Sequence, residues 1–130
     1  MLKFKFLLWF LTKLLQRAVK HNPACAQYVK GKELIFQIQT KSGMGRHFSI
    51  RNGKVSSIAG LTKSPKFTMT FRDAAKGFAI LSAKDGKDAF LAALHDADLV
   101  ISGDFVEVMW FQGLTEYLQP ATAEALEHAA

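Results

Sequence analysis

Apolar and polar positions follow two different periods along this chain. In the first twenty residues, MLKFKFLLWFLTKLLQRAVK, the apolar positions Phe4, Leu7, Leu8, Leu11, Leu14, Leu15 and Ala18 recur at helical spacing, which predicts a helix with one buried face. His21-Asn22-Pro23 ends it, because proline cannot continue a helix and biases the residue before it toward extended geometry. Strands are expected next. Residues 33–40, ELIFQIQT, set Leu34, Phe36 and Ile38 on one face and Ile35, Gln37 and Gln39 on the other, the alternation of a half-buried strand. Lys41-Ser42-Gly43 turns the chain, 46–51 places Phe48 and Ile50 on one face, and Asn52-Gly53 is a hairpin turn before a returning strand at 55–58. After a loop at 60–65, Phe67, Met69 and Phe71 alternate with Thr68 and Thr70.

Beyond Phe71 the helical period returns. Asp73 is placed to cap a helix over 74–83 and Asp85 another over 86–95, with Asp88 in the first turn complementing the dipole. A short apolar strand at 99–101 ends in Gly103. Asp104 then caps the last helix, with Glu107 as its capping-box partner, and Gln119-Pro120 closes it. With no repeat, linker or low-complexity stretch, the chain reads as one domain: a helix at 1–22, a body at 23–120 and a tail at 121–130.

The wet side of the first helix departs from the usual pattern. Lys5, Lys13, Gln16, Arg17 and Lys20 occupy it, but Phe6, Trp9 and Phe10 also project away from the main stripe. A helix that only packs on a core has no use for apolar groups there. An interfacial helix does, since aromatics enter the headgroup boundary while lysines meet anionic lipid. Burial against a second copy or another protein, or packing on both sides within one chain, would serve as well. A membrane span is excluded: the longest apolar run, Phe6 to Leu11, is six residues, against about twenty for a bilayer crossing. Ala24-Cys25-Ala26 has the form of a leader cleavage site, but Lys13, Arg17 and Lys20 separate it from the apolar run, so no cleavage is expected there.

Charge sharpens the question of partners. Residues 1–66 hold 13 Lys and Arg against one acid, Glu33, whereas 67–130 hold 4 against 10. A concentrated basic half attracts an anionic partner, phospholipid or nucleic acid, or is simply a solvated face. Cys25 is the single cysteine in 130 residues, so no disulfide framework exists and a reducing, cytoplasmic setting is expected, with the protein soluble or peripheral to the membrane.

Candidate chemistry is sparse. His21, His47, His95 and His128 lie in different elements without the spacing that brings two nitrogens onto one metal. The run His95, Asp96, Asp98 is a poor calcium loop because Val100 stands where an oxygen ligand is needed. No phosphate loop forms at the Gly-Lys pairs beginning at 31, 53 and 86, since Ala26, Phe48 and Leu81 stand where its first glycine belongs. Lys76-Gly77-Phe78-Ala79 opens like an RNA-recognition strand, but Ile80 and Ala83 replace the stacking aromatics, so nucleic acid is disfavoured. Cys25 has His21 four residues away but no third group to orient it. The expectation is a protein that is not an enzyme and uses no metal or cofactor.

The last helix carries Phe105, Val106, Val108, Met109, Trp110, Phe111, Leu114, Tyr117 and Leu118 around nearly its whole circumference. Such a helix is a central core element or lines an elongated apolar cavity. At this point the ordered set FTMTFRDAA, AKDGKDAFLAAL and LVISGDFVEVMWFQGL, with NGK at 52–54, resembles the sterol carrier protein type 2 family over roughly residues 25–118. The resemblance implies an α/β fold of the α+β type, with a five-stranded, mainly antiparallel sheet covered by helices and enclosing a hydrophobic cavity or tunnel. It implies non-enzymatic binding or transfer of a lipid, sterol-like or isoprenoid/quinone molecule. The alternative is an accessory or scaffold subunit, for example of a quinone-biosynthesis complex, using the first helix as a protein or homodimer interface. Candidate lining residues are Phe36, Ile38, Phe48, Ile50, Phe71, Phe78, Phe90, Phe105, Met109, Trp110 and Leu114; candidate membrane or partner contacts are Phe6, Trp9, Phe10, Lys5, Lys13 and Arg17.

Overall fold

In the computed structural model, which describes residues 2–81, 83 and 86–118, five strands form one sheet in the order β3-β2-β1-β4-β5. The strands are β1 (Leu34–Thr40), β2 (Gly45–Arg51), β3 (Lys54–Ala59), β4 (Phe67–Phe71) and β5 (Leu99–Gly103). Neighbours run antiparallel except β1 and β4, which are parallel. The helices are α1 (Leu2–His21), α2 (Pro23–Val29), α3 (Ala74–Leu81), α4 (Gly86–His95) and α5 (Phe105–Thr115). The expected five-stranded, mainly antiparallel α+β sheet is present.

Alternation decides which sheet face is covered. Phe48, Phe36 and Phe67 are register partners on three adjacent strands. Their rings stack at centroid separations of 5.0 Å and 5.0 Å, nearly parallel, and Phe111 of α5 closes on Phe36 at 4.5 Å. This ladder follows from the strand spacing of about 4.8 Å, which sets in-register rings at stacking distance. The opposite face is polar: Gln37 donates to Thr68 Oγ1 and Gln39 to Thr70 Oγ1, each at 3.0 Å. Gln37 is nevertheless buried, and its Oε1 accepts from the Thr62 N–H at 2.9 Å, so the 60–66 loop folds over that face.

The apolar stripe of α1 packs on the covered face. Phe4, Leu7, Leu8, Leu11 and Leu15 are buried, and Phe4 meets Phe71 edge to face at 6.2 Å. Two polar groups tie the helix to the sheet margin: the Thr12 hydroxyl lies 2.7 Å from Ser57 Oγ, and Gln16 Nε2 donates to Val55 O at 2.8 Å. Gln16 is thus a packing residue, although the helical pattern places it with the lysines.

Turn geometry matches the sequence at Asn52-Gly53, where φ is 53° and 74°, the left-handed pair a tight hairpin requires. Gly103 has φ 107° and lies against Lys66 O so closely that a Cβ has no room. The next amide, Asp104 N–H, donates to that same carbonyl at 2.8 Å. The Gly-Asp step is therefore a backbone device that joins β5 to the loop before β4.

Four expectations are corrected or bounded. The chain does not pass from Pro23 directly to strands: Asn22 Oδ1 accepts from the Ala24 and Cys25 N–H groups and starts α2, with Pro23 in its first turn. Glu107 does not close a capping box, because the Asp104 N–H is already used by Lys66 O and the Glu107 carboxylate instead pairs with Lys32 Nζ at 2.6 Å. Helix α3 ends at Leu81 rather than 83, and α5 at Thr115, followed by turns to Leu118. Asp85 as a cap, Gln119-Pro120 as a terminator, the 121–130 tail and His128 all lie outside the described residues.

Gly77 of α3 sits where an added Cβ would be 2.5 Å from Phe4 Cε1, and Phe4 is fully buried. Gly77→Ala is expected to lower stability by about 1–3 kcal/mol by overpacking, even though alanine is the better helix former by about 1 kcal/mol. Urea unfolding checks this; an unchanged or higher midpoint would contradict the close α1–α3 contact.

Candidate functional site

Two features of this fold can serve a function, one enclosed by α1, α3, α4, α5 and β4 and one on the outer side of α1. The first is an apolar cavity of about 70 Å³. Its walls are Leu7 and Leu11 of α1, Met69 of β4, Ile80 and Leu81 of α3, Phe90 of α4, and Phe111 of α5, closed by Leu118. The polar atoms are few: Gln112, Thr115 and Glu116 on one wall and Lys87 on the other. The Thr115 hydroxyl donates to Gln112 O at 2.7 Å. Gln112 Nε2 is buried and has no hydrogen-bond partner among the described residues, a state that costs about 1–3 kcal/mol. The space is modest, since pockets for drug-sized ligands run to roughly 300–1,000 Å³ and an engineered cavity of about 150 Å³ takes up benzene.

Of the residues expected to line an interior, Phe90 does so. Phe36, Ile38, Phe48, Ile50, Phe71 and Leu114 are buried but pack within the filled layer between sheet and helices rather than on the cavity wall. Phe78 and Trp110 are half-buried. Phe105 and Met109 stand outward, 53% and 49% exposed. The reason is the phase of α5: its buried stripe is Val108, Phe111 and Leu114, continued by Leu118, and Phe105 and Met109 fall on the other side. Leu7, Leu11, Ile80 and Gln112 were missed as wall residues. Alternation groups strand positions by face, but tells neither which face turns inward nor where the helical layer leaves space.

The second feature is the outer side of α1. Phe6 and Trp9 are each 44% exposed and Phe10 is half-buried. Phe6 stacks on Phe10 at 5.8 Å and tilts against Trp9 at 5.9 Å, while Lys13 Nζ lies 5.6 Å from the Trp9 ring centroid. Lys5, Lys13 and Arg17 are exposed around them. These six residues share the outer side of α1. Among the described residues, no helix is long and apolar enough to cross a membrane.

A separate clamp holds α2 to α5. The Tyr28 hydroxyl donates to Trp110 O at 2.8 Å, its ring stacks on Trp110 at 5.1 Å, and Lys32 Nζ sits 4.8 Å from the Trp110 centroid. Burial, and then the neighbouring Tyr117 and Glu116, push the Tyr28 phenol above its ordinary value. Tyr28 therefore stays a neutral donor at physiological pH.

Polar clusters elsewhere have structural partners. Asp98 pairs with Arg72 at 3.4 Å and with Lys76 at 3.8 Å. His47 Nδ1 lies 3.0 Å from Gly60 O and His95 Nδ1 lies 3.1 Å from Asp96 Oδ1. Among the described residues, no group of three His, Cys, Asp or Glu side chains is arranged to hold a metal. Cys25 is fully buried, and desolvation raises its pKa.

Comparison with known proteins places this geometry. No protein-family model matches the chain, and no curated protein matches it by sequence. Solved structures do. The chain is similar to a UbiJ-SCP2 ubiquinone synthesis protein, with TM-score 0.64 and 15% identity over 86% of this chain and 95% of that one. It is similar to apo sterol carrier protein 2 from Yarrowia lipolytica, with TM-score 0.54 and 13% identity over 85% and 90%. Sterol carrier protein domain 2 of Helicoverpa armigera matches at TM-score 0.53 and 17% identity over 91% and 89%. The chain has the sterol carrier protein 2 fold.

Because the Cys25 thiol is buried and its pKa raised, it is expected to resist a disulfide reagent at mildly alkaline pH in the native protein and to react fully in concentrated guanidinium. Its reactivity should rise only at a pH above that of a free thiol. Rapid labelling of native protein would show that this face of α2 is not packed into the core.

Proposed function

We propose that this protein binds and carries a lipid-like apolar molecule without chemically altering it, and does so at the surface of an anionic membrane. One observation carries the reading: α1 turns Leu7 and Leu11 to the apolar cavity while the same turns expose Phe6 and Trp9 among lysines. The sterol carrier protein 2 fold, shared with the structures above, supports it. The ligand site is proposed at Phe90 with Leu7, Leu11, Met69, Ile80 and Phe111, and Phe36, Ile38, Phe48, Ile50 and Phe71 form the packed floor beneath. Loading a whole lipid into about 70 Å³ requires α3 and α4 to move away from α1, since a close-packed core does not stretch elsewhere.

The membrane contact is proposed at Phe6, Trp9 and Phe10, ringed by Lys5, Lys13 and Arg17. Only Glu33 is acidic in residues 1–66, so α1 itself carries no acid to oppose anionic headgroups, and each cation contributes about 1 kcal/mol near such a surface. Similarity to the UbiJ-SCP2 ubiquinone synthesis protein favours a second reading. In that case the same aromatics dock on a partner protein or a second copy, and the chain serves as an accessory subunit.

Two measurements test these readings. Organic extraction of purified protein followed by mass spectrometry is expected to recover a bound apolar molecule in stoichiometric amount; protein that is empty and takes up no fluorescent lipid would end the carrier reading. Sedimentation with anionic vesicles is expected to be strong at low salt, weaker at high salt, and lost in the double variant Trp9→Ser, Phe6→Ser. If the variant sediments like its parent, the membrane contact is wrong; a salt-insensitive dimer that the variant abolishes supports the second reading.

A further inference from the structure

The two edges of the sheet are finished differently. At β3 the margin is held by α1: Gln16 Nε2 donates to Val55 O at 2.8 Å, and the Thr12 hydroxyl lies 2.7 Å from Ser57 Oγ. The other edge is β5, which pairs with β4 on one side only. The Arg72 N–H donates to Asp98 O and the Asp104 N–H to Lys66 O, each at 2.8 Å, and these bonds fix the phase of the ladder. Val100 and Ser102 turn their backbone groups toward Thr70 and Thr68, so Leu99 and Ile101 turn theirs outward. Among the described residues, no group answers the Leu99 or Ile101 amide or carbonyl at that edge. The strand, LVISG, contains neither charge nor proline, the usual devices that stop an edge from pairing, and such an edge is a template for one more strand.

We infer that the occupant is a second copy of this chain, with β5 paired antiparallel to β5 of the partner subunit across a twofold axis at Ile101. The strand is complementary to itself in that register. The two Ile101 residues exchange both main-chain hydrogen bonds, and Leu99 stands opposite Gly103 of the partner subunit, so outward-facing groups meet outward-facing groups. The exposed Val100 stands opposite Ser102 of the partner subunit. Charge balances at each end. Asp98 comes opposite Asp104 of the partner subunit, a pair that repels by itself, but Asp98 already holds Arg72 at 3.4 Å and Lys76 at 3.8 Å, both largely exposed, while Asp104 uses only Oδ1 for its cap. Two cations thus meet two carboxylates. A strand of five residues buries little area, so the dimer is weak and reversible. Because α1 lies at the far edge of each sheet, its outer aromatics stay free, and the pairing is independent of the carrier and membrane readings.

Sedimentation equilibrium of the full chain tests this. The parent is expected to show a monomer–dimer equilibrium with Kd between about 10 μM and 1 mM. Val100→Lys, on the exposed sheet face, sets a cation on each side of the axis and is expected to weaken the dimer about tenfold or more, whereas the double variant Phe6→Ser, Trp9→Ser leaves it unchanged. Amide hydrogen exchange needs no variant. The Ile101 amide is expected to exchange as an open amide in dilute solution and to slow about tenfold on concentration, while the Val100 amide, bonded to β4 in either state, is slow throughout. A parent that stays monomeric to about 1 mM, a Val100→Lys variant that dimerises like the parent, or a dimer whose Ile101 amide still exchanges freely would overturn the pairing. Protection of Ile101 that appears only when a different protein is added would overturn the second copy as the occupant.

Discussion

The contact between the inner stripe of α1 and the phenylalanine-lined face of the sheet is the constraint on which the rest depends. Phe4, Leu8 and Leu15 are almost wholly buried, and removing a side chain of this kind costs about 2–5 kcal/mol, a large part of a small domain's total stability of about 5–15 kcal/mol. Because the stripe is committed inward, the positions a third of a turn away are committed outward. Phe6 and Trp9 are exposed as a geometric consequence of burying Phe4, Leu7 and Leu8.

The same contact sets the cavity. Helix α1 reaches across to Gly77 of α3 and to β3, while α5 is drawn to the other side by the Phe36–Phe111 contact and by the Tyr28–Trp110 clamp. Space survives where α1, α3, α4 and α5 meet over Met69, the place where no ring from the sheet is long enough to fill it. The cavity is thus a by-product of two strong packings that pull neighbouring helices apart. On the proposed reading, a bound molecule would complete the core there and gain the burial that the chain leaves unused.

Much of this was legible from residue order. Period-two alternation grouped Leu34, Phe36 and Ile38, then Phe48 and Ile50, then Phe67, Met69 and Phe71, each on one strand face, and Asn52-Gly53 marked the hairpin turn, because both signals are local; which face turns inward depends on register, which a local pattern does not fix. The resemblance built on 67–118 also led to the right fold. Helix α2 was hidden because Asn22-Pro23 ends one helix and begins the next with the same two residues. The cavity wall was read less well. Strand positions such as Phe36 and Phe48 bury equally whether they touch a void or a ring, so burial alone does not locate a void. The outward turn of Phe105 and Met109, and the role of Glu107 with Lys32 rather than its own cap, depend on contacts more than seventy residues apart, beyond the reach of any local pattern.

The central claim is that α1 faces a ligand with one side and a lipid surface with the other. Intermolecular NOEs from a bound apolar ligand, recorded on the full chain with labelled methyl and aromatic groups, test it most directly. The account predicts NOEs to Leu7, Leu11 and Ile80 and to the rings of Phe90 and Phe111, with none to Thr68 or Thr70 on the opposite sheet face. Ligand NOEs confined to Phe6 and Trp9, or to the polar sheet face, would contradict it.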